Sequence, residues 1–171
     1  MDLKRLASQV AEVLPPRVRD TLLLRAFGLT KVPMLLFVSP TVVRLGDGSC
    51  HVQVPLNRLT KNHVGSMYFG VLAAGADCAA GLLGFYWIKK LRAKKVTLLF
   101  KDFHADFHRR AEADVIFTCE DGALIKECIA KVLETGHRVH VSVKVLATTL
   151  IDGPEKPVAS FTLTMSFKAR A

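Results

Sequence analysis

Hydrophobic residues near the start of the chain recur at the spacing of two amphipathic helices. From Leu3 to Leu14 they lie three or four positions apart, and two prolines then end the pattern. A second stripe begins at Val18 and ends at Gly28, a residue type suited to a helix C-terminal cap. Both helices are predicted to pack on the rest of the protein as an extension of residues 1–40.

Further along, the pattern switches between the period of two that is typical of strands and the spacing of three to four that is typical of helices. It predicts two strands around a Gly-Asp-Gly turn, a long apolar helix, two strands, an amphipathic helix and two final strands. These eight segments are Thr41–Leu45, Cys50–Pro55, Met67–Ile88, Lys95–Phe103, Ala113–Glu120, Leu124–Leu133, Val139–Val145 and Ala159–Phe167. Residues 104–110 are predicted to form a polar connection between the third and fourth strands.

The apolar segment Met67–Ile88 is long enough to span a bilayer. Asp77 near its middle and four glycines argue against a span, because a central carboxylate costs roughly 2.5 to 3.5 kcal/mol on insertion. A helix that is apolar nearly all round needs cover on every side, and a curved antiparallel sheet would supply it. The pattern therefore predicts an α+β fold, in which about six strands wrap a buried central helix and an amphipathic helix lies between strands four and five.

Composition narrows the class of protein. The chain has 171 residues, half of them hydrophobic, which is enough for one domain with a core that needs no disulfide or metal. The four cysteines lack paired spacing, which predicts reduced thiols and argues against a zinc site. The first residues lack the continuous apolar region of a signal peptide, so a cytoplasmic location is expected.

A formal charge of +9 favours anionic partners, namely phosphorylated small molecules, acidic proteins, nucleic acid or an anionic membrane surface. Two basic clusters stand out. One, in residues 89–95, includes Lys89, Lys90 and Arg92, and the other contains Arg109 and Arg110. Either cluster could hold the phosphates of coenzyme A or an acidic carrier protein, although solvated connectors have the same composition. No aromatic residues alternate with these cations, which argues against single-stranded nucleic acid.

Polar residues gather where the long helix begins. Asn62, His63 and Ser66 precede it, and Gly65 would let a ligand approach the backbone. Because helix N-termini carry unpaired N–H groups, the amides near Gly65 to Tyr68 are expected to hold a carbonyl oxygen as it becomes an oxyanion. The same polar residues could equally cap the helix or end a loop.

Asp77 is the residue that simple packing explains least well. An ionised carboxylate on an apolar helix is costly to bury unless it is paired or used in chemistry. It could activate a water molecule or attack a carbonyl itself. Alternatively, it bonds a neighbouring hydroxyl such as that of Thr97 or lies at a subunit contact.

From about Thr41 to Phe167 these residues resemble the hotdog-fold acyl-CoA thioesterases, especially the small single-domain kind and its uncharacterised bacterial branch. In that family a loop with Asn and Gly leads into the central helix, a His-Gly-Gly turn opens it, and an Asp or Glu follows the His by nine residues as the catalytic carboxylate. Here Asp77 follows Tyr68 by nine residues, and Asn62 precedes Asp77 by fifteen.

The glycines of the family pattern fall on Gly65 and Gly70, while the His-Gly-Gly turn reads Tyr-Phe-Gly from Tyr68 onward. The resemblance implies that Thr97 is the hydroxyl residue that the family often places near the carboxylate. It further implies a hotdog domain over residues 41–171.

The resemblance also implies a function. The chain is expected to hydrolyse acyl-CoA or acyl-carrier-protein thioesters, with coenzyme A as part of the substrate and no separate cofactor or metal. Hotdog domains join edge to edge and build each site from two subunits, so a homodimer or a dimer of dimers is expected.

Two other functions remain open at this stage. A non-catalytic acyl-binding module would account for the Tyr at position 68 but leaves Asp77 unexplained. A hydroxyacyl-thioester dehydratase would use His63 with Asp77, although the intervening turn lacks the proline of that family.

Overall fold

The computed structural model describes residues 14–149 and 156–170, so the helix expected from Leu3 to Leu14 lies almost entirely outside the described residues. The described part has four helices and six strands. In chain order these are α1 (Pro16–Thr30), α2 (Met34–Val38), β1 (Thr41–Leu45), β2 (Cys50–Val54), α3 (Phe69–Lys90), β3 (Val96–Phe107), β4 (Val115–Cys119), α4 (Gly122–Thr135), β5 (Val139–Thr149) and β6 (Lys156–Ala169).

All six strands form one antiparallel sheet in the order β1-β2-β4-β5-β6-β3. The predicted α+β architecture, a curved sheet around a central helix, is confirmed. α4 runs from Gly122 to Thr135 and is followed by Gly136, whose φ of 69° makes it the left-handed cap that the sequence predicts. β1 and β3 are the two edges of the sheet.

The third strand is longer than predicted. β3 continues to Phe107, and its pairing with β6 runs from Val96 opposite Ala169 to Phe107 opposite Ala159. The prediction of a polar connection from residue 104 was therefore wrong over residues 104–107. Polar side chains are tolerated in this stretch because an edge strand is only partly covered, while β6 supplies the backbone hydrogen bonds.

The central helix packs directly on the sheet because two of its residues have no side chain. A Cβ on Gly75 would lie 2.3 Å from Cε2 of Phe117 in β4, and one on Gly84 would lie 2.7 Å from Cε of Met165 in β6. α3 is the one helix of the described residues that is long and apolar enough to cross a membrane, but 67% of its apolar window is buried by protein. This burial agrees with the prediction that the segment is a core helix.

The amino-terminal helices contribute to the same core. Leu24, Leu35 and Val38 are buried, and the Thr21 hydroxyl accepts a hydrogen bond of 3.0 Å from the backbone N–H of Val42 in β1. Gly28 does not cap α1 as predicted, since the helix continues to Thr30. Gly28 is instead buried where α1 packs on α2. The division into an extension of residues 1–40 and a domain of residues 41–171 stays a prediction.

The four cysteines are all free and buried, as the spacing predicted. Cys50 of β2 lies opposite Cys119 of β4 in the sheet. Burial raises the pKa of both thiols, that of Cys119 to about 11, so they remain protonated at neutral pH.

We predict opposite effects for alanine at two glycines of α3. A Cβ at Gly81 meets no atom nearer than 3.7 Å, so Gly81→Ala should raise the free energy of unfolding by up to about 1 kcal/mol through helix propensity. Gly75→Ala gains the same propensity but forces a methyl group into the buried Phe117 ring, an overpacking cost of about 1–3 kcal/mol. Urea unfolding of the two variants measures the difference. Equal stabilities would contradict the close approach of α3 to β4.

Candidate active site

The loop before α3 is built by the polar residues that the sequence marked as site candidates. The Asn62 side-chain oxygen accepts hydrogen bonds from the backbone N–H groups of Val64 (3.0 Å) and Ser66 (3.2 Å), and the Asn62 amide nitrogen donates to the Ser66 hydroxyl at 3.2 Å. Gly65 has a φ of 84°, which the turn requires and which other residues rarely adopt. Asn62, Gly65 and Ser66 thus have a structural role in this loop.

The backbone amides of this loop are not free to bind a ligand. The N–H groups of Gly65 and Ser66 donate to Asn62, that of Met67 donates to the Ala111 carbonyl at 2.8 Å, and that of Tyr68 donates to the Thr60 carbonyl at 2.9 Å. The expectation that the amides from Gly65 to Tyr68 hold an oxyanion was therefore wrong, because each of them already donates a hydrogen bond within the protein.

The backbone N–H groups that lack an acceptor belong to the next two residues of the chain. α3 begins at Phe69, and the N–H groups of Val71 and Leu72 both donate to the Tyr68 carbonyl. Within the described residues, the N–H groups of Phe69 and Gly70 donate to no acceptor. The first turn of a helix always leaves such groups unpaired, and sequence reasoning missed them because it started the helix two residues too early.

Tyr68 stands at the N-cap of α3 beside these donors. Its ring lies over Gly70, where a Cβ would be 2.6 Å from Cε1 of the tyrosine, and the side chain is 47% exposed. Among the described residues its hydroxyl makes no hydrogen bond. Any side chain at position 70 would displace this ring, so Gly70 is what lets Tyr68 lie against the helix mouth.

Asp77 is half-buried on the same helix and makes no hydrogen bond or ion pair with any described residue. Burial raises the pKa of its carboxyl group above the usual range. The suggested partner Thr97 is engaged elsewhere, because its hydroxyl donates to the Lys168 carbonyl at 3.0 Å. Thr97 also lies on the opposite face of β3 from Leu98, which lines the same cavity as Asp77, so this chain does not bring Thr97 and Asp77 together.

A cavity of about 690 Å³ opens beside Asp77. Its walls come from α1, α3 and β3, and their side chains are mostly apolar, including Leu23, Phe27, Phe85 and Phe100. Sequence reasoning treated α1 only as a packing helix and missed this wall. The signal in the sequence was the pair of leucines at positions 22 and 23, since one amphipathic stripe cannot bury both.

The two basic clusters lie at opposite ends of α3. The residue after Arg110, Ala111, is bonded to Met67 just before the helix, whereas Lys90 is the last residue of the helix. Gly70 and Lys90 are twenty positions apart, which is about 30 Å along the axis. One chain therefore cannot bring both clusters to the same phosphate.

The carboxy-terminal cluster is partly occupied by structural contacts. The Lys90 ammonium binds the Asp47 carboxylate at the tip of the β1–β2 hairpin and lies 5.1 Å from the Trp87 ring. The pKa of Asp47 is lowered, chiefly by its hydrogen bond from Lys90. Lys89 lines the cavity, and Arg92 is exposed after the helix. His63 is exposed in its loop and has no hydrogen bond or ion pair within the described residues.

An antiparallel sheet wrapped around one long central helix is the hotdog fold. Among the solved structures that share this fold are proteins from three organisms. A protein from Pseudomonas aeruginosa described as a probable thioesterase is 22% identical (TM-score 0.71, covering 92% of this chain and 97% of that one). A thioesterase family protein from Silicibacter pomeroyi is 18% identical (TM-score 0.64, 90% and 99%). A protein from Chlorobaculum tepidum with unknown function is 14% identical (TM-score 0.72, 90% and 97%).

The chain belongs to the family described as a domain of unknown function, DUF4442, whose model matches residues 20–165. A search of the curated proteins gave no match. The matched range begins inside α1, so the family model includes part of the amino-terminal helices together with the sheet.

We predict that ionisation of Asp77 lowers the free energy of unfolding as pH rises. A carboxyl group whose pKa is raised on folding holds its proton more tightly in the folded state, so stability falls as pH increases from the unfolded pKa through the folded one. Asp77→Asn removes this penalty and should be more stable than the wild type at neutral pH. Urea unfolding at several pH values should show the advantage shrinking as pH approaches about 4. An advantage independent of pH would rule out an ionised, buried Asp77.

Proposed function

We propose that this protein hydrolyses acyl thioesters, with Asp77 as the general base. The observation that carries the proposal is the unpaired, half-buried Asp77 carboxylate beside an apolar cavity. Nothing among the described residues stabilises this carboxylate, and a buried group of raised pKa without a structural partner is typical of a functional site.

In the proposed reaction, Asp77 takes a proton from a water molecule and the resulting hydroxide adds to the thioester carbonyl carbon. The carbonyl oxygen becomes an oxyanion that accepts hydrogen bonds from the Phe69 and Gly70 amides. When the intermediate collapses, the carbon–sulfur bond breaks and the thiolate leaves, taking the proton that Asp77 holds. The Tyr68 hydroxyl would give the oxyanion a further donor.

The spacing along α3 supports a site shared by two copies of the chain. Gly70 and Asp77 are seven residues apart, which is about 10 Å along the axis. The oxyanion donors must lie about 3 Å from the carbonyl oxygen, while the base must reach the water that attacks the carbonyl carbon, so donors that face Asp77 from a second helix suit the reaction better than amides two turns away on its own helix. A second copy related by a two-fold axis would place the Asp77 of one subunit beside the amides of the other.

The edge strand β3 offers a surface for that second copy. Among the described strands it is paired only with β6, and Leu99, Phe103 and Phe107 on it are 61%, 43% and 52% exposed. An unpaired edge of this length with apolar side chains favours edge-to-edge pairing between identical chains. We therefore propose a homodimer, which could assemble further into a dimer of dimers.

The substrate class follows from charge and cavity. Arg109 and Arg110 stand at the end of α3 where the thioester would bind, and they would attract the phosphates of coenzyme A or of a carrier-protein prosthetic group. Lys89 and Arg92 of the same chain lie at the other end of α3 and would not reach these phosphates. Coenzyme A is here a part of the substrate. A cytoplasmic location, where such thioesters are made, belongs to this proposal.

A non-catalytic acyl-binding module is the second candidate. It is favoured by the size and apolar lining of the cavity, and by Tyr68, which stands where the hotdog-fold acyl-CoA thioesterases have a histidine. Such a module would bind acyl ligands but leave their thioester bond intact.

We predict that Asp77→Asn and Phe69→Pro each impair hydrolysis of acyl-CoA and that mixing them restores it. Asp77→Asn should lower kcat/KM roughly 10²- to 10⁴-fold as a lost general base. Proline suits the first position of a helix and follows an extended Tyr68 (ψ 137°), so Phe69→Pro should preserve the helix start. It removes the N–H donor together with the Phe69 ring that packs on Tyr68, and should cost roughly 10²- to 10³-fold.

Half of the dimers in an exchanged mixture contain one variant of each kind, and one of their two sites is intact. The mixture should therefore regain about one quarter of the wild-type activity. No recovery, with subunit exchange verified by mass spectrometry, would contradict the shared site. Wild-type rates for Asp77→Asn would refute the base, and a monomer by sedimentation would refute the dimer.

We predict that Tyr68→Phe lowers hydrolysis roughly tenfold to a thousandfold, as expected for one lost oxyanion donor, with little change in thermal stability. Tyr68→His introduces the histidine that the hotdog-fold acyl-CoA thioesterases carry at this position, and it should keep or raise activity. If the ring only packs against Gly70, the phenylalanine variant will match the wild type and the histidine variant will lose stability instead. Steady-state kinetics and thermal unfolding of both variants separate these outcomes.

A further inference from the structure

The cavity beside Asp77 is walled on one side by α1, which precedes the predicted hotdog domain. We propose that this cavity binds a long unbranched acyl chain, that Gly81 keeps it open next to Asp77, and that α1 sets which chain lengths fit. The inference rests on the proposed function for its reaction, but the binding of the chain can be tested without any hydrolysis.

The floor of the cavity is one stripe of α3 that starts at Asp77 and continues through Gly81, Phe85 and Lys89. Asp77 and Lys89 are twelve positions apart, which is about 18 Å along the helix axis. An extended chain advances about 1.2 Å per backbone atom, so this length matches an acyl chain of about 15 carbons. A volume of about 690 Å³ lies within the range of ordinary ligand pockets.

Gly81 is one turn beyond Asp77, where its lack of a side chain leaves space in the cavity. A Cβ there would lie 3.7 Å from the Asp77 carboxylate and 3.8 Å from the Phe100 ring of β3, so no backbone packs against it. Unlike Gly75 and Gly84, Gly81 is therefore not required for the packing of α3 on the sheet. A larger side chain would fit without disturbing the core but would occupy the passage between Asp77 and Phe100.

The roof is the stripe of α1 that carries Leu23, Leu24 and Phe27. The Phe27 ring packs against Phe85 with their centroids 5.8 Å apart, which joins α1 to α3 across the cavity. Leu23 is 56% exposed although it lines the cavity, as expected for a wall residue whose contact is made by a ligand. Among the described lining residues, the charged ones are Asp77, Arg19, Asp20, Lys89 and Lys90.

The lining fits an alkyl chain better than a polar ligand. Between the charged groups the walls are leucine and phenylalanine side chains, which offer no partner for a hydroxyl or amide group. Each methylene that leaves water for these walls should raise affinity about fourfold, so binding should strengthen steeply with chain length.

Neighbouring leucines of α1 give a matched pair of variants. Leu22 and Leu23 are 51% and 56% exposed, but only Leu23 lines the cavity. We would titrate cis-parinaric acid, a fluorescent polyene fatty acid, into the wild-type full chain and into Leu23→Glu, Leu22→Glu and Gly81→Leu. Leu23→Glu and Gly81→Leu should each raise the Kd at least about tenfold, whereas Leu22→Glu should leave it within about twofold of the wild type.

Circular dichroism would verify that all variants are folded, which the exposure of Leu23 and the open space at Gly81 favour. Equal affinities in all four proteins, or equal losses in Leu22→Glu and Leu23→Glu, would overturn the proposal. With acyl-CoA substrates, Gly81→Leu should lower the ratio of kcat/KM for palmitoyl-CoA to that for butyryl-CoA at least about tenfold, and an unchanged ratio would overturn the role of Gly81. Variant-dependent binding without any thioester hydrolysis would refute the proposed function while leaving the acyl site intact.

Discussion

The structure depends on covering a helix that is apolar on nearly every side. α3 cannot expose one polar stripe to water as α4 does, so the sheet must curve around it and the remaining face must be closed by something else. Gly75 and Gly84 bring the helix backbone close to β4 and β6, which leaves the Asp77 face pointing away from the sheet centre. The cavity exists because α1 bridges that face without filling it.

Much of this architecture could be predicted because it is set by local periodicity. The hairpin of β1 and β2, the amphipathic α4 with its glycine cap, and the alternating β5 and β6 each carry their pattern in consecutive residues. The features that the pattern could not give depend on tertiary contacts. The extension of β3 to Phe107 follows from pairing with β6, and Gly28 lies inside α1 because α2 packs there.

The candidate site also has one part that the sequence could predict and one part that depends on tertiary structure. Asp77 stands out in the sequence because a charge on an apolar helix is anomalous whatever the fold. The exact donors could not be assigned from sequence, because a shift of two residues in the helix start moves the unpaired amides from Gly65–Tyr68 to Phe69 and Gly70. Thr97 was placed near Asp77 by the resemblance to the thioesterases, and the alternation of β3 puts it on the other face.

The position of β3 in the sheet has a consequence for how the chain folds. Within the described sheet β3 pairs only with β6, whose residues come some sixty positions later, so the wall formed by Leu98 and Phe100 cannot be fixed until β6 has been made. Until then the face of α3 around Gly84, which packs on Leu98 of β3 and Met165 of β6, has no cover, in a chain whose helices can form early. Completion of the cavity and closure of the sheet are thus one late event, and a truncation before Phe167 would remove the binding wall and the fold together.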